Sequence, residues 1–421
     1  MRELRRDYGT DMRTLPRPLT PAKLTSAPRP SAALLVVATA LLLGTVLASC
    51  RGAPARTGNI AVAGAGPDAI GAGLYHSCAL KDGGVSCTGW NAYGQLGDDS
   101  TAESHVNVAV SGLASGVSAI SAGYFHTCAL KQGGVACWGY NGHGQLGDNS
   151  ATDRHVPVAV VGLASGVAAI SAGGLHTCAL KDGGVWCWGM NAWGQLGNNS
   201  MTGSPVPVAV SGLASGVSAI SAGWVHTCAL KGSAVWCWGY NGAGELGNGS
   251  TTGSSVPVAV SGLASGVTAI GVGGFHTCAV KDGSVFCWGA NDRGQLGDNG
   301  TTENHVPVAV SGLASGFSAL RAGREYTCAL KGGGVWCWGS NDAGQLGNNS
   351  LTESHVPVAV SGLGSGVTAI SAGAHHVCAL KDGGGWCWGA NSHGEFGRDV
   401  LVGIIPVLYS AVPVAVALDA R

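Results

Sequence analysis

Fourteen cysteines divide this chain into seven units of equal length. Two cysteines nine positions apart recur every fifty residues without a slip, and the residues around them repeat as well. Self-similarity at a period of this length is typical of solenoids and propellers, in which each copy is one supersecondary unit. The chain is therefore expected to fold as seven copies of one unit. The cysteine pairs are Cys78 and Cys87, Cys128 and Cys137, Cys178 and Cys187, Cys228 and Cys237, Cys278 and Cys287, Cys328 and Cys337, and Cys378 and Cys387.

The apolar pattern of each unit predicts β-strands. No segment shows the apolar period of a helix, whereas short runs rich in β-branched residues recur about every ten residues between Gly, Ser and Asn. Four strands per repeat are typical of a propeller blade. The predicted fold is all-β, a seven-bladed β-propeller of four-stranded blades.

The two ends of the repeat array predict how the ring closes. The first repeat begins at residues 69–73 without the Val-Pro-Val-Ala-Val run that precedes the other repeats, and residues 412–416 supply that run at the end. Pairing of the N- and C-terminal strands would remove an exposed sheet edge, so closure by this pairing is expected. Residues 59–63 are an alternative closing strand.

Each cysteine pair flanks a predicted hairpin turn. In the first repeat, Asp82-Gly83 is a strong two-residue turn signal. This turn places Cys78 opposite Cys87 at a non-hydrogen-bonded position, where Cα atoms approach to about 4.5 Å, within disulfide reach. A metal site is the alternative, but a lone pair lacks the short double spacing of zinc ligands. Seven local disulfides are expected, with no metal and no other cofactor.

The amino-terminal segment predicts export. Residues 1–30 carry seven Lys or Arg, residues 31–46 are apolar, and the tetrapeptide Leu47-Ala48-Ser49-Cys50 follows. The tetrapeptide resembles the lipobox of bacterial lipoproteins. That resemblance implies cleavage before Cys50, its lipidation and, since no Asp follows it, placement at the outer membrane. An uncleaved signal anchor is the alternative. The expected organisation is a lipoprotein-type signal peptide over residues 1–49, a linker over 50–68 and a propeller over 69–421.

The charge balance argues against a nucleic-acid partner. From Cys50 onward, 15 Lys or Arg stand against 20 Asp or Glu, a balance of −5. A surface that follows phosphates needs clustered Lys and Arg, but here lysines occur once per repeat beside the turn, as at Lys81 and Lys131. No nucleic acid is expected to bind, and membrane contact is expected through the lipid anchor only.

Two strings carry a resemblance to a known family. They are Gly-x-x-His-Thr-Cys-Ala-Leu, as at residues 123–130, and Val-x-Cys-Trp-Gly-x-Asn-x-x-Gly-Gln-Leu-Gly, as at residues 135–147. The chain resembles the regulator of chromosome condensation repeat family, which implies a seven-bladed propeller. The founding member exchanges nucleotide on a small nuclear GTPase, a partner that an exported chain would not meet. Bacterial propellers that resemble this family include secreted β-lactamase inhibitors, which cover their target with aromatic side chains from one face.

The positions that stay constant between repeats are interpreted as scaffold. A catalytic site is one constellation, whereas the same histidine and the same tryptophan recur in six repeats, and large tryptophans suit blade packing. No Ser-His-Asp set, phosphate loop or carboxylate pair can be identified, so no catalytic residues are expected. Departures from the pattern include Thr88 for tryptophan, Tyr326 for histidine and Glu395-Phe396 for Gln-Leu. The histidines are His76, His126, His176, His226, His276 and His376.

The positions that vary between repeats predict a binding surface. They lie in two loops per repeat, and the family's architecture implies that both loops share one face. Aromatic residues dominate repeats one to five and charges gather in five and six, a composition typical of protein-binding patches. The alternative is that these are merely tolerated loop residues. The predicted binding residues are Tyr75, Tyr93, Tyr124, Phe125, Tyr140, Met190, Trp193, Trp224, Tyr240, Phe275, Arg293 and Arg324.

The sequence thus predicts a monomeric, non-enzymatic propeller, anchored in the bacterial cell envelope, that binds an envelope or extracellular protein. The first alternative is a secreted inhibitor or adhesin. A nucleotide-exchange activity would follow from the family name only. An enzyme would need acids or a metal converging on the central channel, and the acidic residues are scattered along the chain.

Overall fold

The computed structural model describes residues 69–312, 315–398, 400–402 and 405–419. The predicted signal peptide (1–49), the predicted linker (50–68) and the alternative closing strand at 59–63 lie outside the described residues. The described residues form β-strands joined by turns, and they contain no helix that is long and apolar enough to cross a membrane.

The strands form seven antiparallel sheets of four strands each, which confirms the predicted seven-bladed propeller. Every blade is a continuous meander whose first strand lines the central channel. Blades 1 to 4 are β1 (Ala69–Ala72), β2 (His76–Lys81), β3 (Gly84–Gly89) and β4 (Ser104–Ala109); β5 (Val117–Ala122), β6 (His126–Lys131), β7 (Gly134–Gly139) and β8 (Arg154–Ala159); β9 (Val167–Ala172), β10 (His176–Lys181), β11 (Gly184–Gly189) and β12 (Ser204–Ala209); β13 (Val217–Ala222), β14 (His226–Lys231), β15 (Ala234–Gly239) and β16 (Ser254–Ala259).

Blades 5 to 7 repeat this plan, with one short hairpin inserted in the last blade. The hairpin pairs two three-residue strands between the third and fourth strands of blade 7. These blades are β17 (Val267–Val272), β18 (His276–Lys281), β19 (Ser284–Gly289) and β20 (Asn304–Ala309); β21 (Phe317–Ala322), β22 (Tyr326–Lys331), β23 (Gly334–Gly339) and β24 (Ser354–Ala359); β25 (Val367–Ala372), β26 (His376–Lys381), β27 (Gly384–Ala390) and β30 (Tyr409–Val416), with the hairpin of β28 (Val400–Val402) and β29 (Ile405–Val407).

A disulfide joins the second and third strands of every blade. In blade 1 the turn at Asp82-Gly83 has φ of 51° and 79°, the left-handed pair that a tight hairpin turn needs. Lys81 then pairs with Gly84, and the register places Cys78 opposite Cys87 with their Cα atoms 4.0 Å apart. The other six pairs have the same register and are also bonded, which confirms the seven predicted disulfides.

Each of blades 1 to 6 is locked to the next through one backbone carbonyl. The loop after β3 carries Gln95, whose carbonyl oxygen accepts hydrogen bonds from Trp138 Nε1 (2.9 Å) and Thr127 Oγ1 (3.1 Å) of blade 2. Gly97 makes this approach possible, since a Cβ there would lie 2.7 Å from Trp138 Nε1 and its φ is 72°. All six such tryptophans are fully buried, which confirms their packing role.

The histidines that recur between the repeats form a second belt of hydrogen bonds between blades. His76 Nε2 lies 2.9 Å from Thr127 Oγ1 of the next blade, and the same pair recurs around the ring. Because the threonine hydroxyl donates its hydrogen to the Gln95 carbonyl, it must accept one from Nε2. The imidazole of each histidine in these five pairs is therefore the neutral tautomer that carries its hydrogen on Nε2. Burial lowers the pKa of His76 to about 4, so it stays neutral at physiological pH.

The prediction that the N- and C-terminal strands pair is wrong. β1 pairs with β2, whereas β30 pairs with β27 in the register Cys387 to Val414, as the fourth strand of blade 7. The physical reason is the phase of the repeat. Val-Pro-Val-Ala-Val ends a blade, and residues 106–110 already provide this strand for blade 1. Neither terminal blade lacks a strand.

The ring closes instead by packing blade 7 against blade 1. Ser371 Oγ accepts a hydrogen bond from the Ala72 N–H at 3.0 Å, and the Ala374 N–H donates to the Gly73 carbonyl at 3.1 Å. Ser77 Oγ lies 2.9 Å from His376 Nε2, so a serine takes the place of the threonine in the belt. The last interface therefore keeps the inner hydrogen bonds and the histidine contact that occur between other blades.

A carboxyl-terminal strap reinforces this seam. Asn107, which replaces the proline of the other fourth strands, donates from Nδ2 to the Ala417 carbonyl at 2.8 Å. Ser86 Oγ donates to the Leu418 carbonyl at 3.0 Å, and Lys81 pairs with Asp419 at 2.8 Å. The Leu418 side chain is buried between the two blades, so residues 417–419 act as a strap across the seam.

Truncating the strap's apolar anchor should loosen the seam. We expect Leu418→Ala to lower the free energy of unfolding by about 2–3 kcal/mol, because it removes a buried leucine and leaves a cavity. Leu408→Ala is the matched control, since Leu408 is 44% exposed and its loss should cost less than about 0.5 kcal/mol. Denaturant unfolding of both variants measures the difference, and equal losses would contradict the strap.

Candidate functional site

The two varied loops of every blade lie side by side on one face, which confirms their predicted arrangement. The first loop joins the first and second strands, and the second loop follows the third strand. In blade 1 the Trp90 N–H of the second loop donates to the Tyr75 carbonyl of the first loop at 2.8 Å. The same bond recurs in the other blades, from Tyr140 to Phe125, Met190 to Leu175, Tyr240 to Val225, Ala290 to Phe275, Ser340 to Glu325 and Ala390 to His375.

Aromatic rings of blades 1 and 2 form the first of two clusters on this face, here called the seam cluster. Trp90 lies at its centre, with ring centroids 5.3 Å from Tyr93, 6.2 Å from Tyr75 and 6.2 Å from Phe125. Tyr93 in turn contacts Tyr140 at 4.8 Å. Most of these pairs are edge-to-face, the arrangement that the ring quadrupoles favour. The cluster is thus a connected surface rather than a set of isolated rings.

The second cluster, here called the channel cluster, covers one end of the central channel. Tyr124 of blade 2 reaches Trp224 of blade 4, two blades away, with ring centroids 5.6 Å apart. Both rings line the channel mouth together with alanines and glycines. Phe275 contacts Trp224 at 5.2 Å and Tyr240 at 6.1 Å, and Trp193 contacts Tyr240 at 5.1 Å.

Glycine in blade 3 allows Trp224 to lie across the channel mouth. A Cβ at Gly174 would stand 2.3 Å from Trp224 Cδ1, closer than any real contact. The first loop of blade 3 therefore has no side chain where its neighbours have Tyr124 and Trp224. At this varied position the sequence shows only a glycine. The absence of its side chain leaves the space that Trp224 of the next blade occupies.

Charged side chains flank the channel cluster on blades 5 and 6. The Arg324 guanidinium lies 5.3 Å from the Trp224 ring centroid, within cation–π distance. Arg293 pairs with Glu353 of the next blade at 3.2 Å. Burial raises the pKa of the Tyr124 phenol to about 12, although the positive charge of Arg324 acts to lower it. This hydroxyl therefore stays protonated at neutral pH.

The structure brings most of the predicted binding residues together. Eleven of the twelve lie in these clusters or in the charged flank, whereas Met190 is only 8% exposed and lies beneath the surface. Three side chains outside the predicted set join the seam cluster, namely Trp90, His375 and His393, which contact Tyr75 or one another. They occupy the same two varied loops, so their positions carried the signal.

Two buried carboxyls lie beneath this face. Glu245 and Glu395 stand where the other blades have glutamine, and each accepts one backbone N–H at 2.9 Å. Their Oε1 atoms are buried without a hydrogen-bond partner among the described residues. Burial raises the pKa of Glu245 to about 8 and that of Glu395 to about 7. Both carboxyls therefore keep their proton at pH values above those at which an ordinary glutamate loses it.

The titratable side chains of the described residues do not gather into a metal site. Within the described ranges, no three or more His, Cys, Asp or Glu side chains are placed to hold a metal ion together. The buried histidines are committed to the inter-blade belt, through contacts such as that of His126 with Thr177 at 2.8 Å. What the face offers a ligand is aromatic area with charges at one side.

The fold and the face define a repeat propeller that presents variable loops on a constant scaffold. The regulator of chromosome condensation (RCC1) repeat profile matches residues 82–130, 132–180, 182–230, 233–280, 282–330 and 332–380. A second profile of the same repeat matches residues 68–95, 117–145, 167–195 and 267–295. The chain belongs to the RCC1 repeat family, whose propellers are generally binding and regulatory proteins.

Solved structures share the fold. Human WBSCR16 is 24% identical over 74% of this chain and 86% of its own, with a TM-score of 0.65. Prp20p from Saccharomyces cerevisiae, described with its binding to Gsp1p and histones, is 21% identical over 82% and 86%, with a TM-score of 0.70. Yeast RCC1 (Prp20) bound to Kap60 is 19% identical over 89% and 91%, with a TM-score of 0.70. No curated protein sequence matches the chain. At these identities the similarity concerns the fold alone.

The buried carboxyl of Glu245 should make the propeller less stable at high pH. Below about pH 4.5 it is protonated in both states, but above that the unfolded chain releases its proton first. The free energy of unfolding then falls until the pH passes the folded pKa of about 8. We expect Glu245→Gln to raise it at pH 9 by at most about 5 kcal/mol and to change little at pH 4.

Unfolding curves at both pH values measure this effect. Gln145→Glu is the matched reverse change in blade 2, since Gln145 occupies the same buried position. It should lower stability at pH 9 and leave it nearly unchanged at pH 4. A gain for Glu245→Gln that is equal at both pH values would contradict the assignment.

Proposed function

We propose that this chain is a non-enzymatic binding protein that docks an envelope or extracellular protein on its aromatic face. The face is the surface formed by the seam cluster and the channel cluster. The observation that carries the proposal is the contact between rings from different blades, above all Tyr124 and Trp224 across the channel mouth. A lone exposed ring needs no explanation, whereas a connected aromatic surface is typical of a binding site.

The geometry supports tight binding for an entropic reason. Trp224 is held by Tyr124, Phe275 and the Arg324 guanidinium, and Trp90 by its neighbours in the seam cluster. Aromatic side chains that are already fixed lose little freedom when a partner arrives, so more of the contact energy appears as affinity. Clustered Trp, Tyr and Arg are also the residue types that dominate interface energies.

A secreted inhibitor or an adhesin would use the same face and differs only in where the chain resides. Nucleotide exchange on a GTPase is not favoured, since an exported chain would not meet that partner. The balance of −5 from Cys50 onward and the scattered lysines disfavour nucleic acid.

Capture of a partner from envelope extracts tests the binding face. The tagged full chain is compared with Trp193→Ala/Trp224→Ala, which removes two rings of the channel cluster. We expect the double variant to bind at least about 30-fold more weakly, since each ring has the character of an interface hot spot. Trp186→Ala/Trp236→Ala is the matched control, because these tryptophans lie on third strands near the hairpin turns, away from the face.

The partner is identified from wild-type capture, and affinities are then measured with purified components. Thermal melting must show that both double variants are folded. Equal affinity of the two double variants would contradict a binding role for the channel cluster.

The envelope location is proposed from the tetrapeptide ending in Cys50. Lipidation at this residue would hold the propeller at a membrane through its amino-terminal linker. We expect the wild-type chain to incorporate an alkyne-tagged fatty acid and to fractionate with membranes, whereas Cys50→Ser should do neither and should retain its signal segment. Ser49→Ala keeps a small residue before the cleavage site and should behave as wild type. Fatty-acid labelling of Cys50→Ser would rule out the anchor.

A further inference from the structure

Blade 6 departs from the others where the first loops meet the channel mouth. Arg324 occupies in blade 6 the position that Tyr124 has in blade 2 and Trp224 has in blade 4. It is the only charged residue among the seven equivalent positions. The other four positions are buried and hold Leu74, Gly174, Gly274 and Ala374. The side-chain surface at this level therefore comes from two aromatic rings and one arginine.

Arg324 reaches across the face towards both aromatic clusters. Its guanidinium carbon lies 5.3 Å from the ring centroid of Trp224, two blades away. Gly274 of the blade between them leaves the room, since a Cβ there would stand 2.6 Å from the Arg324 carbonyl oxygen. Burial raises the pKa of the Tyr75 phenol and lowers that of His375, and the charge of Arg324 acts to lower both. The charge therefore acts on the seam cluster as well as on the channel cluster.

The N–H groups of Arg324 have no acceptor among the described residues. Its Nε is buried without a hydrogen-bond partner, and no carbonyl or carboxylate is bonded to its Nη atoms. The Trp224 ring interacts with the charge and leaves the N–H donors unused. Arg293, by contrast, is paired with Glu353 at 3.2 Å. A buried donor without an acceptor is costly, so an acceptor supplied by a ligand would be stabilising.

The acidic residues of the neighbouring loops are engaged elsewhere. Asp342 accepts a hydrogen bond from Gln345 Nε2 at 3.0 Å. The pKa of Arg293 is raised by its carboxylate partner and, further, by the charge of Glu325. Neither Asp342 nor Glu325 forms an ion pair with Arg324. The acid that would complete this arginine is therefore expected from a bound molecule.

A carboxylate fits this position better than other groups do. A guanidinium binds a carboxylate through two parallel hydrogen bonds, and such charge-assisted bonds are stronger where neighbouring rings exclude water. A sugar would stack on the rings but offers the arginine no charge. A nucleic acid brings phosphates, but the balance of −5 from Cys50 onward opposes a polyanion. An acidic side chain bordered by apolar residues matches both the arginine and the rings.

We infer that the protein bound by the aromatic face presents an aspartate or glutamate side chain to Arg324. The carboxylate accepts hydrogen bonds from the guanidinium, and the residues beside it pack on the rings of Trp224 and Tyr124. The rings supply contact area and the arginine selects the partner, because a basic or apolar group there would leave the N–H donors unpaired. The inference rests on the proposed function, since it names the chemistry that the same face recognises.

A random peptide library displayed on phage supplies the probes for a test. The library is selected on the immobilised full chain in detergent, and the enriched peptides are synthesised. We expect these peptides to share an aspartate or glutamate beside an aromatic or aliphatic residue. Each peptide is then compared with its amide analogue, which carries asparagine or glutamine in place of the acid, for binding to the wild-type chain and to Arg324→Gln.

The change from acid to amide should weaken binding to the wild-type chain at least about tenfold and binding to Arg324→Gln less than about twofold. Arg293→Gln is the matched control and should keep the tenfold difference, because that arginine already has a carboxylate partner. Thermal melting checks that both variants are folded. Should Arg324→Gln fail to fold, Arg324→Lys, which keeps the charge without the planar fork, should show a smaller difference than wild type.

The outcomes separate this inference from the proposed function. Peptides that lose binding to Trp193→Ala/Trp224→Ala but show equal acid-to-amide losses on the wild-type chain and Arg324→Gln would keep the face and overturn the acidic partner. Face-dependent peptides that contain no acid would do the same. Selected peptides that all bind this double variant as well as wild type would contradict the binding face itself, and the inference would fall with it.

Discussion

One carbonyl oxygen in each of blades 1 to 6 holds the next blade in place. The Gln95 carbonyl receives both the indole of Trp138 and the hydroxyl of Thr127 from the next blade, and equivalent carbonyls serve the following interfaces. Because the tryptophan of one blade completes the core of the blade before it, no blade buries its apolar residues alone. The disulfide inside each blade complements this arrangement, since it joins the two central strands that carry these donors.

The departures from the repeat are coupled at the seam between blades 7 and 1. Thr88 stands where the other blades have tryptophan, and its hydroxyl lies 2.9 Å from the Gly394 carbonyl of blade 7. The volume of the missing indole is taken up by Phe396, larger than the usual leucine, and by Leu418, which pack with Ile70 of blade 1. Taken one at a time, Thr88 and Phe396 resemble the sequence divergence that is common in terminal repeats. Together with the strap they form one repacked interface.

The constant belt leaves the overlying loops free to vary. The loops that carry Tyr124, Trp224 and Arg324 stand above backbone that is already fixed by hydrogen bonds between blades, as from the Trp224 N–H to the Gly273 carbonyl at 3.3 Å. Substitutions there change the surface without changing the ring. This separation explains how a scaffold of identical blades can carry an aromatic face on one side of the ring and charges on another.

The sequence by itself determined the number of blades, the four strands of each, the disulfides and the two loops that form the face. These follow from local rules, because hairpin register, turn residues and repeat period involve residues close in the chain. Only the tertiary structure decided how the ring closes. The final Val-Pro-Val-Ala-Val run could pair with the first strand of the chain or complete the last blade, and the sequence pattern is the same in both cases. The tertiary structure also decided which varied residues meet: Tyr124 and Trp224 are a hundred positions apart, and Met190 is buried although its neighbours are partly exposed. Ring curvature brings such residues together or hides them, and curvature is a property of the assembled blades.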